Sequence, residues 1–313
     1  MKIINFFIFL SFSMFIIFGG FGQVVTAQSP AGLDGLVEPG EPERIATGFI
    51  NTGGPVWHPD GYLLFSDIPG NTIYKWTPDG RVVKFRSPSG NSNGLTFDKQ
   101  GRLIACEHSN RRVSRTEPDG TIVTLANEYQ GKRLNSPNDA VVKSDGSIYF
   151  TDPPYGLTFT KELSFQGVYR ILPDGKTLEL LVEDLYRPNG LAFSPDEKVL
   201  YVADSQGSFS IHAFDIQPDG TLANRRIFVQ YDVGFPYGIK VDINGNLYVT
   251  THGNYVKIFD STGKHLGDIV TPEITLNCAF GGPDNKTLFI TAVTSVYRVQ
   301  LKIPGVQVVV GSD

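Results

Sequence analysis

The sequence predicts an all-β protein, a six-bladed β-propeller with four antiparallel strands per blade. Three observations predict it. An apolar hairpin recurs six times, its first strands beginning at residues 53, 93, 138, 189, 237 and 277. A second hairpin follows in "IYKWTPDGRVVKF", "VSRTEPDGTIVTL", "VYRILPDGKTLEL" and "IHAFDIQPDGTLA", turning each time at Pro-Asp-Gly. The composition, with 34 Gly, 20 Pro and 12% aromatic residues, is that of many turns and many aromatic strands. Self-similarity at a period in the forties is a propeller signature, and two hairpins per unit make one four-stranded blade.

In chain order, "MKIINFFIFLSFSMFIIFGGFGQVVTAQ" reads as an export signal: Lys2, an apolar run from Ile3 to Phe18, then Val25-Thr26-Ala27 at cleavage spacing. Cleavage after Ala27 is expected; an uncleaved anchor is the rival, disfavoured by the short run and Gly19-Gly20. The mature chain is thus expected outside the cytoplasm, secreted or periplasmic, without stable membrane insertion. Residues 28–39, "QSPAGLDGLVEP", read as a flexible lead-in, and 40–313 as the propeller domain. "ERIATGF" at 43–49 has a strand pattern, and the last unit is short of strands after Ala292. The early strand is therefore expected to pair with the C-terminal blade and remove a free sheet edge. Outside the signal there is no helical periodicity.

The heads of the six first strands are Gly53, Asn93, Asn138, Asn189, Tyr237 and Asn277. In a propeller the first strand lines the channel, so these residues converge at one mouth. The antiparallel second strands return to the same mouth one strand further out, with Asp67, Glu107, Asp152, Asp204 and His252 at their ends. One Asn-Gly can simply start a strand through a local side-chain bond. Four Asn about one axis favour a polar ligand site instead, with Asn93, Asn138, Asn189, Tyr237 and Asn277 as binding residues. The outer carboxylates are expected to cap neighbouring turns.

Charge and cysteine usage bound the partners. The net charge of −5 comes without a basic stripe, which disfavours nucleic acid. Cys106 and Cys278 belong to no paired motif and read as small buried side chains. There is no Gly-x-Ser-x-Gly elbow, no His-Glu-x-x-His motif and no phosphate loop. Asn285-Lys286-Thr287 fits a glycosylation acceptor at a hairpin turn.

The repeats "GPVWHPDGYLLFSDIPGNTIYKW", "NSNGLTFDKQGRLIACEH", "LNSPNDAVVKSDGSIYFTDPPYG", "RPNGLAFSPDEKVLYVADS" and "NCAFGGPDNKTLFITA" resemble the gluconolactonase / regucalcin (senescence marker protein) family over essentially the whole mature chain. The resemblance implies a lactone hydrolase with one divalent ion, usually Ca2+, held by a Glu, two Asn and an Asp. Its Glu falls on Gly53, its two Asn on Asn138 and Asn189, and its Asp on Tyr237. Both amide ligands are present and both carboxylates are replaced, so the metal site is expected to be weak or vacant. With the acids gone, Tyr237 is the candidate donor to an oxyanion and His252 the candidate base, with Glu107-His108 ambiguous. Three functions stay open: a lactone hydrolase with an altered site, a small-molecule-binding pseudo-enzyme, and a metal-free isomerase or cyclase.

Overall fold

Each unit of the repeat folds into one blade. The computed structural model describes residues 33–156 and 160–307; the expected export signal and residues 28–32 of the lead-in lie outside them. Blade I comprises strands Thr52–His58, Tyr62–Asp67, Thr72–Trp76 and Val82–Arg86; blade II, Ser92–Phe97, Leu103–Glu107, Arg112–Thr116 and Ile122–Ala126. Blade III comprises Ala140–Val142, Ile148–Asp152, Gly167–Ile171 and Leu178–Val182; blade IV, Pro188–Phe193, Val199–Asp204, Ser210–Ile216 and Leu222–Gln230. Blade V comprises Pro236–Val241, Leu247–Thr251, Tyr255–Phe259 and His265–Val270. Blade VI takes Thr275–Gly281, Thr287–Ala292 and Ser295–Gln300 from the C-terminal part and its outer strand, Glu43–Thr47, from the N-terminal part. That outer strand pairs antiparallel with Ser295–Gln300, Ala46 opposite Val296 and Thr47 opposite Ser295, as the strand pattern predicted. The described residues contain no helix.

Period-two alternation builds the core. Along Tyr62–Asp67, Leu63 and Phe65 pack toward blade VI, while Leu64 packs toward blade II. Along Val199–Asp204, Leu200 and Val202 face blade III, and Tyr201 and Ala203 face blade V. Six apolar clusters result, one in each blade-to-blade interface. Both faces of every sheet are thus buried, which is why the strands read as near-continuous apolar runs. Cys106 lies in the II–III interface and Cys278 in the V–VI interface, both buried and unpaired.

Residues 33–39 differ from the flexible lead-in that was expected. Leu33 and Leu36 are buried at 2% and 8% exposure in the apolar cluster between blades V and VI. Val37 bridges to Leu301, and Lys302 N–H donates to the Leu36 carbonyl at 2.8 Å. The polar run conceals two leucines one turn apart, enough to dock the segment on the ring.

The first strands of successive blades touch around the channel, I to II and on through VI back to I. The contact is tightest just past each strand head. A Cβ on Gly54 would lie 1.9 Å from the Asn93 carbonyl oxygen, and one on Gly190 would lie 2.3 Å from that of Tyr237. Only glycine allows the backbones to approach this closely. Gly190→Ala is therefore expected to cost about 1–3 kcal/mol in urea denaturation, the range for forced overpacking. Gly35→Ala, where no atom lies within 4 Å of the added methyl, should stay within about 0.5 kcal/mol of the parent.

Candidate functional site

Strand pairing breaks at the head of nearly every blade. The register slips between Gly53 and Val56, Ser92 and Leu95, Pro188 and Leu191, Pro236 and Ile239, and Thr275 and Asn277. In blade III the ladder begins only at Ala140, two residues after Asn138. Bulges re-aim side chains, and here they act on the residues at the channel mouth. Hydroxyls from second strands fix several heads: Ser66 donates to the Asn93 carbonyl at 2.9 Å, Thr151 to that of Asn189 at 2.7 Å and Thr291 to that of Asn277 at 3.1 Å.

Three of the four asparagines form a chain across adjacent blades. Asn93 Nδ2 donates to Asn138 Oδ1 at 2.8 Å, and Asn138 Nδ2 to Asn189 Oδ1 at 2.8 Å. Gly53 sits at the start of this chain: a Cβ there would lie 2.5 Å from Asn93 Oδ1. Asn277 is placed differently. Its Oδ1 accepts from the Cys278 N–H at 2.8 Å, and its Nδ2 donates to Asp139 Oδ2 at 3.2 Å. Blades III and VI face each other across a ring of six, so the Asp139–Asn277 bond spans the channel.

Tyr237 is half-buried against Phe235, edge to face at 5.2 Å between ring centroids. Burial, with a smaller push from neighbouring Tyr155, raises its phenol above the ordinary range, so it stays a hydrogen-bond donor. Tyr155, from the loop after Ile148–Asp152, brings its hydroxyl to 3.5 Å from Asn189 Nδ2. The Arg187 guanidinium lies 5.2 Å from the Tyr155 ring centroid, and no carboxylate lies within 4.0 Å of it among the described residues. His252 is exposed, stacked on Phe235 at 4.5 Å, its ring 6.3 Å from that of Tyr237. His108 is instead buried at 6% exposure, and its Nε2 has no hydrogen-bond partner among the described residues. Burial takes its pKa down to about 4, against a smaller upward pull from the Asn138 side chain.

The outer carboxylates are occupied. Asp67 accepts the N–H groups of Ile50 and Asn51, Asp152 those of Asn135 and Ser136, and Asp204 those of Tyr186 and Arg187. Each caps the loop entering its own blade's first strand, the role expected of them. Glu107 instead receives Arg86, Arg112 and Ser114. Against the upward push of burial, the bonds from Arg112, Ser114 and Asn110 and the Arg86 charge hold its carboxyl below the usual range.

Asp139, Tyr155 and Arg187 were not singled out from the sequence. Asp139 had a signal: the residue after each head is Gly54, Gly94, Gly190 or Gly238, but Asp in blade III and Cys278 in blade VI. Tyr155 and Arg187 sit in loops outside the repeat. Asp139 is hydrogen-bonded into the ring through Asn277. Burial raises its pKa, offset in part by the Lys240 charge, the Asn277 amide and the Ala140 N–H. As donors to a hard cation, the Asn138 and Asn189 carbonyl oxygens are neutral, and each already accepts an amide N–H. Among the described residues no three His, Cys, Asp or Glu side chains converge.

Comparison with known proteins places this geometry among relatives. Residues 52–294 match the profile of the SMP-30/Gluconolactonase/LRE-like region. The chain is 38% identical to a gluconolactonase of Zymomonas mobilis, covering 90% of this chain and 87% of the relative. It is 30% identical to a regucalcin of Xenopus laevis over 76% of this chain and 81% of that protein. Among solved structures, a gluconolactonase from Xanthomonas campestris superposes with a TM-score of 0.81 at 38% identity, covering 87% of this chain and 92% of that one. A structure titled a putative gluconolactonase gives 0.83 at 35%, covering 88% and 98%.

The burial of His108 has a consequence for acid stability. Its folded pKa lies below its unfolded value of 6.5, so the unfolded chain binds the extra proton as pH falls from 6.5 toward 4. Stability from keeping the ring neutral is complete above 6.5 and is lost on acidification, at up to about 1.4 kcal/mol per pH unit. Urea denaturation of the parent and His108→Gln across this window should show the parent losing stability faster by that slope. Equal slopes would mean that the ring is not held neutral.

Proposed function

The chain belongs to the SMP-30/gluconolactonase/LRE-like family, and from that premise we propose that its amide-lined mouth binds a lactone and that calcium-dependent hydrolysis there is impaired. The observation that carries the reading is the head of blade I. Gly53 brings no oxygen, and the Asn93 amide occupies the space beside it. With Tyr237 protonated at the other acid position, the ring carries no formal negative charge at either. Calcium takes roughly six to eight oxygens and its affinity follows the number of charged ones. Two neutral amide oxygens already engaged with neighbours suit it poorly, so no step of the reaction is assigned to the ion.

The chain's own groups suit a neutral, oxygen-rich ligand. The phenols of Tyr155 and Tyr237 can donate to a lactone carbonyl, and Arg187 favours the carboxylate that ring opening would produce. Two imidazoles are candidates for moving a proton: His108 against Asn138, neutral at pH 7, and His252 on the rim. The engagement of Asp139 by Asn277 and Ala140 favours a second reading, binding without hydrolysis, since this carboxylate already accepts two N–H groups. A metal-free isomerisation or cyclisation at the same groups is the third. Export, with cleavage after Ala27, is part of the same proposal and is supported by the N-terminal pattern.

Calcium titration by calorimetry, with hydrolysis of sugar and aromatic lactones in calcium and in chelator, tests the reading. The parent should bind calcium weakly and hydrolyse slowly. Gly53→Glu with Tyr237→Asp should gain at least about tenfold in calcium affinity, roughly 1.4 kcal/mol, and gain calcium-dependent turnover. The obstacle to Glu at 53 is the tip of the Asn93 amide rather than backbone, so that side chain can turn aside. Tight calcium binding with fast hydrolysis by the parent would overturn the proposal. Turnover indifferent to chelator would select the metal-free reading.

A further inference from the structure

The far end of the channel holds a cavity of about 480 Å3. All six blades line it with residues beyond the strand heads: Val56, Leu95, Ala140, Ala192, Val241 and Ala279 contribute one from each. It is separate from the amide-lined mouth, because the Asp139–Asn277 bond crosses the channel between them. The wall is largely apolar, and small alanine side chains leave the width open. The volume falls within the range of small-molecule sites, roughly 300–1,000 Å3.

Five charged residues line this wall, Asp60, Lys99, Lys143, Glu197 and Lys240, and Lys240 is the one whose charge reaches the buried Asp139. Lys240 lines the cavity, half-buried, and its Nζ donates to the Ile239 carbonyl at 3.1 Å. No carboxylate lies within 4.0 Å of it among the described residues. Lys143, by contrast, is paired with Asp145 at 3.4 Å and Glu197 at 3.3 Å. Asp139 feels the Lys240 charge but spends its hydrogen bonds on Asn277 and Ala140. Lys240 therefore keeps donor capacity toward the cavity, and a half-buried ammonium with apolar surroundings favours a matching anion.

We propose that this cavity is a binding site for a small amphiphilic carboxylate, its apolar body against the alanine and valine walls and its acid head on Lys240. The proposal does not rest on the lactone reading: it concerns the opposite end of the channel, and its test involves no turnover.

Trp57 lines the cavity, stacked on Phe289 at 5.2 Å, and is one of only two tryptophans. The other, Trp76, is buried at 3% exposure. Intrinsic fluorescence therefore reports occupancy. Decanoate, decanol and decyltrimethylammonium are titrated into the parent, Lys240→Met and Ala192→Phe, each variant first shown to keep a cooperative melt. Decanoate should give a saturable change in the parent, weaken at least about tenfold in Lys240→Met, and lose binding in Ala192→Phe. Decanol should bind the parent and Lys240→Met alike, and the cationic probe should bind neither tightly. Absence of saturable decanoate binding by the parent overturns the site. Equal decanoate affinity in the parent and Lys240→Met overturns the role of the lysine even if Ala192→Phe fails to fold.

Discussion

The contact between successive strand heads around the channel governs the rest of the structure. Neighbouring backbones come so close that a methyl on Gly54 would lie 1.9 Å from the Asn93 carbonyl oxygen. Four blades meet this demand with glycine after the head, and the ladder slips there in five of six. A slipped register no longer forces the head side chain to alternate with the strand, so it turns into the channel. Any ligand site at this mouth is thus assembled from about one residue per blade. A glycine at one head, such as Gly53, leaves that blade without a side chain in the site.

Where glycine is missing, in blades III and VI, the residues after the heads are Asp139 and Cys278. Asp139 reaches across the ring to Asn277, and the Cys278 N–H is taken by Asn277 Oδ1. These blades close the channel at a level just inside the mouth. The amide chain from Asn93 to Asn189 completes the layer, Asn138 accepting from Asn93 and donating to Asn189. Buried polar groups are mostly paired, and these amides pair with one another. An anionic head at position 53 would compete with Asn93 for the same space. The glycine at 53 and the pairing of the Asn93 amide with Asn138 are therefore compatible in this one arrangement.

The blades were legible because alternation and turn chemistry are local and repeat six times. The same alignment located the heads, and the chain from Asn93 to Asn189 lies where the repeat put it. The outer carboxylates were legible as caps because Asp67, Asp152 and Asp204 occupy equivalent positions. The rest depends on features that do not repeat. Tyr155 and Arg187 reach the mouth from irregular loops, whose course no strand pattern fixes. His252 shares its position in the repeat with the capping acids, yet its ring stacks on Phe235 at the rim, a choice made by a neighbouring aromatic. Leu33 and Leu36 lie in a segment whose polar composition masks a docking contact. The far cavity could not be read, since its emptiness reflects the small size of Ala140, Ala192 and Ala279 acting together.

The two ends of the channel differ in chemistry because the layer between them is polar on one side and apolar on the other. Toward the mouth it presents amides, phenols and Arg187; away from it, a largely alanine and valine wall on which Lys240 is placed. The Asp139–Asn277 bond crosses the channel between the two ends. Asp139 lies between them, buried, accepting from Asn277 on the mouth side and feeling the Lys240 charge from the far cavity. In such surroundings a charge is weakly screened. An anion seated on Lys240 draws that cation's field away from Asp139, and any resulting change in the strength of the cross-channel bond acts on the amide ring. By linkage, a ligand that alters the ring must alter affinity at the lysine to the same degree. Asp139, at a position filled by glycine in four of the six blades, is thus the carboxylate that bonds to the amide layer on one side and feels the Lys240 charge on the other.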